Sequence, residues 1–154
     1  MSKIETGKKA PLFTLTGTGG DWSLKDAVGQ PVVMYFYPRD NTPGCTLEGE
    51  SFSSHFAGFK KAKTLIFGIS ADSVASHEKF KKKMAFPFEL LSDPDQKVCN
   101  LYGVFKEKSM YGRKYMGVER STFLIDSKGV LRHEWRKVKV KDHAEAVLAA
   151  VKAL

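Results

Sequence analysis

A continuous run of apolar and aromatic residues, Val32-Val33-Met34-Tyr35-Phe36-Tyr37, constrains the fold of this chain more than any other segment. A run without polar alternation is typical of a strand that is buried on both faces of a sheet. Residues 38–44 interrupt the run, the next segment predicts a helix over 43–61, and residues 64–70 predict a second buried strand. Two such strands joined through a helix are expected to lie parallel, with a right-handed crossover between them.

The remaining segments predict shorter elements around this unit. They comprise strands at 12–15, 88–91, 122–125 and 130–135, a turn at 17–21, a helical turn at 23–26, helices from Asp72 or Ser73 to 84, at 96–102 and at 142–152, and a long loop at 106–118. Residues 126–129 are turn residues that make the last two strands a hairpin. We expect the long helix to bury Leu47, Phe52, Phe56 and Phe59, and the last helix to bury Ala146, Val147 and Ala150.

This order of elements predicts an α/β fold, in which a mixed sheet is covered by helices on both faces. A length of 154 residues predicts a single domain over residues 1–154. Sheets of this kind place their sites in loops at the carboxyl ends of the parallel strands. The loop over residues 38–45 is such a loop, and it is where we expect the site.

The net charge of +8, from 25 basic and 17 acidic residues, raises the question of a nucleic-acid partner. The basic residues are scattered, and the densest cluster, Lys79 to Lys83, lies on a predicted helix, so we interpret it as a solvated helix face. The longest nearly apolar run, at 31–38, is far shorter than the roughly 20 residues of a membrane span. The segment Met1 to Glu5 lacks the apolar stretch of a secretory signal, so we expect a cytoplasmic protein with no membrane partner.

Two cysteines, Cys45 and Cys99, are too few for a disulfide framework or a four-cysteine zinc site. The segment Thr42-Pro43-Gly44-Cys45 leads into the long helix, with Thr42 as the N-cap and Pro43 at the first helical position. Cys45 then lies in the first turn, where free N–H groups and the helix dipole stabilise an anion such as a thiolate. A reactive cysteine is therefore favoured over one that only fills the core, and Gly44 leaves room for a small substrate.

Other residues near Cys45 fit a reactive thiol. We expect Pro38 to shield the sulfur from bulk water and the Thr42 hydroxyl to orient an oxygen-containing substrate. Glu48 lies three residues after Cys45 on the same helix face, where a carboxylate alone would disfavour a thiolate but could orient an arginine. Arg120, just before a predicted strand, is the candidate for that arginine, although a surface ion pair is an equal interpretation, and Arg39 is nearer but more solvated.

The motif Pro38-x-x-x-Thr42-x-x-Cys45 resembles the active-site motif of peroxiredoxins, and residues 36–46 resemble the bacterioferritin comigratory protein branch, also called peroxiredoxin Q. The resemblance extends through residues 91–94, 102–104 and 120–126. It implies a thioredoxin-like fold and reduction of hydroperoxides, without a metal or organic cofactor. It also implies that Cys45 is the peroxidatic cysteine, that Pro38, Thr42 and Arg120 are its partners, and that Glu48 holds an arginine. The expected reductant is thioredoxin, glutaredoxin or a low-molecular-weight thiol, and we expect a monomer.

The chain departs from this branch in its resolving cysteine. Glu50 stands five residues after Cys45, where many members have that cysteine, and the second position used in the branch, near Lys81, holds none either. Cys99 lies among apolar helix positions and is interpreted as a core residue, which predicts a one-cysteine cycle. A two-cysteine cycle through Cys99 and a non-catalytic thioredoxin-like binding module remain as alternatives.

Rival chemistries lack the residues that they need. A thiol–disulfide oxidoreductase would have a second cysteine where Glu48 stands, and a cysteine phosphatase would have an arginine at Ser51. The histidines show no metal-ligand spacing, and a Cys45–His55 dyad would have to span ten residues of one helix. We therefore interpret all of them as surface or rim residues; they are His55, His77, His133 and His143.

Overall fold

The computed structural model describes residues 4–154 and contains a seven-stranded mixed sheet. Residues 1–3, which begin the segment interpreted as lacking a secretory signal, lie outside the described residues. The strands are β1 Thr14–Gly17, β2 Gly20–Ser23, β3 Val32–Phe36, β4 Leu65–Ser70, β5 Glu89–Ser92, β6 Phe105–Met110, β7 Arg113–Val118, β8 Ser121–Ile125 and β9 Leu131–Trp135. The helices are α1 Pro43–Ser54, α2 Phe56–Lys61, α3 Val74–Met84, α4 Lys97–Leu101 and α5 His143–Lys152, with a 3-10 turn at Leu24–Ala27.

The strand order is β2-β1-β5-β4-β3-β8-β9, with β3 and β4 at its centre. Strand β4 pairs parallel with both β3 and β5, whereas β8 runs antiparallel to β3 and β9 antiparallel to β8. The predicted parallel crossover through α1 and the predicted hairpin of the last two strands are confirmed. In this arrangement the loop after β3 and the residue before β8 lie at the same edge of the sheet.

Strand β3 divides the interior into two cores, one on each face of the sheet. Val32, Met34 and Phe36 belong to the core that contains α4 and the 3-10 turn. The alternate residues Val33 and Tyr35 belong to the core that contains α1, α2, α3 and α5. All five residues of β3 are buried, as the sequence predicted, because both faces of the strand are covered. Each side chain of this size contributes about 1.5–3 kcal/mol when fully buried.

The predicted helix over 43–61 is two helices, because the chain leaves helical geometry at His55, where φ is −101° and ψ is 4°. Phe52 and Phe59 are buried and Phe56 packs against the same core, but Leu47 is 56% exposed, which contradicts its predicted burial. Five residues of helix turn the chain by about 500°, which leaves Leu47 on the side away from Phe52. In α5, Val147 is buried and Ala150 is partly buried, whereas Ala146 is exposed because the inward face runs through 144, 147, 148 and 151.

The expectation of a long loop at 106–118 is wrong. Strands β6 and β7 form a separate two-stranded sheet, with register from Phe105↔Val118 to Met110↔Arg113. Tyr111 and Gly112 join them, both with positive φ (53° and 77°), as a two-residue type I′ hairpin turn requires. Most side chains of this hairpin are exposed, so the sequence carries no alternation of buried and exposed positions that would indicate strands.

The first predicted strand is also half of a hairpin. Strands β1 and β2 pair antiparallel from Thr14↔Ser23 to Gly17↔Gly20, so the glycine-rich segment predicted as a turn contains the start of a second strand. The 3-10 turn that follows was predicted and begins after Ser23 as its N-cap. Among residues 4–154, no helix has the length and apolar character needed to cross a membrane.

Candidate active site

The loop after β3 delivers Cys45 to the start of a helix at the carboxyl edge of the parallel strands. Asn41 adopts a left-handed conformation with φ of 62°, which turns the chain toward α1. Thr42 is extended, with φ of −89° and ψ of 155°, and its carbonyl accepts the first helical hydrogen bond from the N–H of Thr46 at 2.8 Å. Cys45 is therefore the third residue of the helix, where backbone N–H groups have no intrahelical partner. Its side chain faces the core, and the residue is 1% exposed.

Arg120 lies beside this sulfur although it is far away in the sequence. Strand β8 pairs with β3 so that Ser121 lies opposite Phe36, and this register brings the preceding Arg120 to the loop that follows β3. Its Nη2 donates to Cys45 Sγ over 3.4 Å. A guanidinium at this distance and the positive end of a helix both favour a negative charge on the sulfur.

Glu48 anchors the same guanidinium from the next turn of α1. Arg120 Nη1 donates to Glu48 Oε1 over 2.6 Å, and Glu48 is 1% exposed. Burial raises the pKa of Glu48 to about 7, against the opposing effect of Arg120, and its second oxygen, Oε2, is buried without a hydrogen-bond partner. Burial works against the charged guanidinium, but the negative charges of Glu48 and Cys45 outweigh it and hold the pKa of Arg120 above its usual value. One guanidinium thus bridges the carboxylate and the sulfur.

Gly44 is part of the same arrangement. A Cβ atom at this position would lie 3.0 Å from Nη2 of Arg120, closer than ordinary van der Waals contact. The sequence suggested that Gly44 leaves room for a substrate beside the sulfur. In the structure the space that it leaves is next to the guanidinium, so Gly44 allows Arg120 to approach Cys45.

The remaining predicted site residues lie in the loop itself. Pro38 and Arg39 are exposed, and Thr42 is half-buried. The Thr42 hydroxyl donates to the Arg39 carbonyl oxygen over 2.8 Å and does not cap the helix. Glu48 takes Arg120 as its partner, and Arg39 extends into solvent.

Cys99 belongs to the other side of the molecule. It is fully buried in the core on the face that carries Met34 and Phe36, whereas Cys45 belongs to the core on the opposite face. Its backbone N–H donates to Asp93 Oδ2 over 2.7 Å. Burial, reinforced by the adjacent Asp93, raises the pKa of the Cys99 thiol well above its ordinary value. The two sulfur atoms are therefore separated by the sheet, and Cys99 is held as a neutral thiol.

Two histidines contradict their interpretation as surface residues. His77 on α3 is fully buried, and His143 on α5 is 7% exposed. His143 Nε2 lies 2.8 Å from the Thr122 hydroxyl, and burial, with a smaller effect of Arg120, lowers the pKa of His143 to about 4. Both histidines stand at helix positions that face the core in α3 and α5. Their helical spacing from the apolar residues of the same helices is the signal that could have predicted their burial.

His77 belongs to a polar cluster that the sequence analysis also missed. Its Nδ1 lies 2.7 Å from Asp40 Oδ2, and the backbone N–H of Asp40 donates to Asp72 Oδ2 over 2.8 Å. Among the described residues, these three side chains place oxygen and nitrogen atoms close enough to share a metal ion. The same atoms already form hydrogen bonds within the cluster and to neighbouring residues. We therefore interpret the cluster as one that anchors the loop before α1.

The fold places a buried cysteine at a helix N-terminus beside a guanidinium, and comparison with known proteins gives the family. The chain belongs to the AhpC/TSA family, which it matches over residues 6–134. Within that family its relatives are peroxiredoxins of the Bcp, or PrxQ, branch. The putative peroxiredoxin bcp of Coxiella burnetii is 50% identical over 146 residues, covering 94% of this chain and 97% of that protein. Peroxiredoxin Bcp of Bacillus subtilis is 47% identical, covering 97% of this chain and 96% of that protein.

Solved structures of the branch have the same fold. The bacterioferritin comigratory protein of Xanthomonas campestris, described for its alkyl peroxide reduction activity, matches with a TM-score of 0.90 and 45% identity over 97% of this chain and 98% of its own. A PrxQ mutant of Xylella fastidiosa matches with a TM-score of 0.92 and 40% identity over 99% of this chain and 98% of its own. These likenesses confirm the predicted thioredoxin-like peroxiredoxin fold. The chain is a thiol-dependent peroxidase, which sets aside the non-catalytic binding module.

Proposed function

We propose that Cys45 is the peroxidatic cysteine and that it reduces hydrogen peroxide and organic hydroperoxides in a one-cysteine cycle. The observation that supports this most directly is the 3.4 Å contact from Arg120 Nη2 to Cys45 Sγ at the start of α1. A cation and a helix N-terminus acting on one sulfur stabilise the thiolate, which is the nucleophilic form.

The thiolate attacks the terminal oxygen of the hydroperoxide, and the S–O bond forms as the O–O bond breaks. The leaving oxygen departs with the electron pair of that bond and takes up a proton, which gives water or an alcohol and leaves a sulfenic acid on Cys45. Arg120 and the backbone N–H of Cys45 donate to the peroxide oxygens, and the Thr42 hydroxyl, which donates to the Arg39 carbonyl, accepts from the hydroperoxide O–H. The two donors act most strongly on the charge that develops on the leaving oxygen, so they stabilise the transition state.

Pro38 and Glu48 have supporting roles in this proposal. Glu48 holds the guanidinium through Nη1, which leaves Nη2 directed at the sulfur. Pro38 bounds the loop on its solvent side, where it limits the access of bulk water to the sulfur. No metal or organic cofactor takes part.

An external thiol completes the cycle. It attacks the sulfenic acid to give a mixed disulfide and water, and a second thiol releases reduced Cys45 by exchange. Glu50 and Lys81 occupy the positions where the branch has its resolving cysteine, and Cys99 lies across the sheet from Cys45. Because Cys45 is 1% exposed, the first turn of α1 has to move to admit the external thiol.

The same proposal includes the partners and setting expected from the sequence. The reductant is thioredoxin, glutaredoxin or a low-molecular-weight thiol, and the protein acts as a cytoplasmic monomer of one domain. The proposal includes no nucleic-acid partner, because the basic cluster on α3 is interpreted as a solvated helix face. Lys79 and Lys82 of that cluster are exposed, and Lys81 is paired with Glu89 over 2.8 Å. Sedimentation of the reduced and oxidised protein tests the monomer.

Peroxide consumption by two cysteine variants tests the assignment. We expect Cys45→Ser to abolish thiol-coupled peroxide reduction and Cys99→Ser to retain most of it. Mass measurement after one equivalent of peroxide should show a gain of one oxygen on the wild-type protein. Near-wild-type activity of Cys45→Ser would refute the role of Cys45, and a loss of two hydrogens with a Cys45–Cys99 bond would establish the two-cysteine alternative.

A further inference from the structure

A buried histidine–aspartate pair lies behind the loop that carries the active site. His77 of α3 is fully buried, and Asp40 in the loop is 8% exposed. Their contact, 2.7 Å from Nδ1 to Oδ2, joins the loop before α1 to α3, a helix that packs against β5 on the same face of the sheet. Nothing in the peroxide chemistry described above uses either residue.

The surroundings of His77 determine where its protons are. Nε2 lies 2.9 Å from the carbonyl oxygen of Leu91, which can only accept a hydrogen bond, so Nε2 carries a proton. Nδ1 faces the Asp40 carboxyl group, so either the imidazole carries a second proton there or Asp40 is itself protonated.

The other contacts of Asp40 favour its ionised form. The Tyr37 hydroxyl donates to Oδ1 over 2.6 Å, and the Ser76 hydroxyl donates to Oδ2 over 2.8 Å. Burial by itself would raise the pKa of Asp40, but the hydrogen bonds from His77, Tyr37 and Ser76 outweigh it and lower the pKa. With Asp40 ionised, both ring nitrogen atoms of His77 face acceptors, so Nδ1 donates to Asp40 Oδ2 and Nε2 donates to the carbonyl oxygen of Leu91.

This pair fixes the loop at a point close to the reacting groups. Asp40 is followed by Asn41, held in the left-handed conformation, and then by Thr42, the N-cap of α1. The Thr42 hydroxyl is bonded to the carbonyl of Arg39, immediately before the anchored residue. A shift of Asp40 would therefore displace the Thr42 hydroxyl and the first N–H groups of the helix.

We propose that His77 is a positioning residue, which donates from Nδ1 to the Asp40 carboxylate and thereby places Thr42 and the N-terminus of α1 against the sulfur of Cys45. This inference rests on the proposed role of Cys45. It assigns the pair no contact with peroxide. Because misplacement of reacting groups by about 1 Å can cost about 100-fold in rate, loss of the pair is expected to slow the peroxide step.

Two substitutions of the same histidine separate its hydrogen bonds. In His77→Asn the side-chain amide overlays Nδ1 and can still donate to Asp40, but the contact with Leu91 is lost. In His77→Gln the amide overlays Nε2 and can still donate to Leu91, but the contact with Asp40 is lost. Each variant gives up one hydrogen bond, so a purely structural role predicts similar losses in thermal stability and similar rates.

The measurement is the second-order rate constant for oxidation of Cys45 by hydrogen peroxide, followed by quenched mass spectrometry at a temperature where each variant is folded. We expect His77→Gln to be about 10- to 100-fold slower than the wild type and His77→Asn to stay within about threefold. Asp40→Asn, which replaces one of the accepting carboxylate oxygens by an amide NH2 that cannot accept, should be slow as well and replaces His77→Gln if that variant does not fold. Equal rates for the two His77 variants, or a wild-type rate for Asp40→Asn, would overturn the proposal.

A second measurement detects the protons on the ring nitrogen atoms of His77 and does not depend on activity. Nitrogen NMR of protein labelled at its histidines should show, at pH 7, protons on both ring nitrogens of His77. A bare Nδ1 would overturn the proposal whatever the kinetics. If the wild-type protein reduced no peroxide, the proposed role of Cys45 would fail while this spectrum still reported the state of His77, so the two failures can be told apart.

Discussion

A single methyl group at Gly44 should separate the activity of this protein from its stability. In Gly44→Ala the new Cβ would lie 3.0 Å from Arg120 Nη2, and ordinary contacts begin near 3.4 Å. The guanidinium can retreat because it is at the end of a long side chain, whereas the helix backbone cannot. We therefore expect Nη2 to move away from the sulfur by about 0.5–1 Å, from its present distance of 3.4 Å.

The size of the effect follows from that displacement. With an effective dielectric constant of about 20, two unit charges attract by about 5 kcal/mol at 3.4 Å and by about 4 kcal/mol at 4.2 Å. Weakening of the charge-assisted hydrogen bond adds to this difference of about 1 kcal/mol, for a total of about 1–3 kcal/mol. The rate constant for oxidation of Cys45 should fall by about 5- to 150-fold. Stability should change less than the rate, because alanine is favoured over glycine in a helix by about 1 kcal/mol, which offsets part of the attraction lost in the folded state.

Stopped-flow oxidation by hydrogen peroxide and urea unfolding of the same preparation measure the two quantities. Gly19→Ala is the matched control, since a Cβ at that glycine would meet the flexible side chain of Glu89 at 3.2 Å, remote from Cys45. The control should keep the wild-type rate. A wild-type rate in Gly44→Ala would refute the reasoning, and so would a slow variant that is also strongly destabilised.

Three further predictions concern stability. Burial raises the pKa of Glu48 to about 7 from an ordinary 4.5. The stability that its proton contributes is therefore present below pH 4.5 and is lost as the pH rises through 7. Over this range the unfolding free energy of the wild type should fall by about 3 kcal/mol relative to that of Glu48→Gln, as measured by chemical unfolding. The lowered pKa of His143, about 4 against an ordinary 6.5, has the opposite sign, because its stability is complete above 6.5 and lost as the pH falls toward 4. Between pH 7 and 4.5, the wild type should lose about 2–3 kcal/mol relative to His143→Gln, and parallel curves would contradict this. Gly49→Ala would place a Cβ 2.3 Å from the ring of Phe86 and should lower the unfolding free energy by about 1–3 kcal/mol, whereas an unchanged denaturation midpoint would show that the ring moves freely.

The sequence predicted the parts of the fold that are governed by burial. Strand β3 is apolar throughout because both of its faces are covered, and such a strand is readable without any knowledge of its neighbours. The hairpin of β6 and β7 escaped prediction for the converse reason, since most of its side chains are exposed and its register depends on the turn at Tyr111 and Gly112.

The site shows a similar division. The N-cap and first turn of α1 are local, so Thr42 and Cys45 could be placed from four consecutive residues. The approach of Arg120 depends on the pairing of β8 with β3, across 75 residues of chain. The residues alone made Arg120 a candidate with a surface ion pair as an equal interpretation, and only the family resemblance favoured a place beside Cys45. The partner of His77 could not be foreseen either, because an isolated histidine and an isolated aspartate carry no sign that they will meet in the interior.

The placement of the two thiols on opposite sides of the sheet affects how the oxidised protein is reduced. Cys45 and Cys99 could be joined only by dismantling the packed interior between them. In the proposed cycle the chain therefore cannot convert a Cys45 sulfenic acid to an internal disulfide, and an external thiol must reduce each oxidised molecule before it can react with another peroxide. The fraction of protein in the oxidised form would then report the balance between peroxide supply and thiol supply around it.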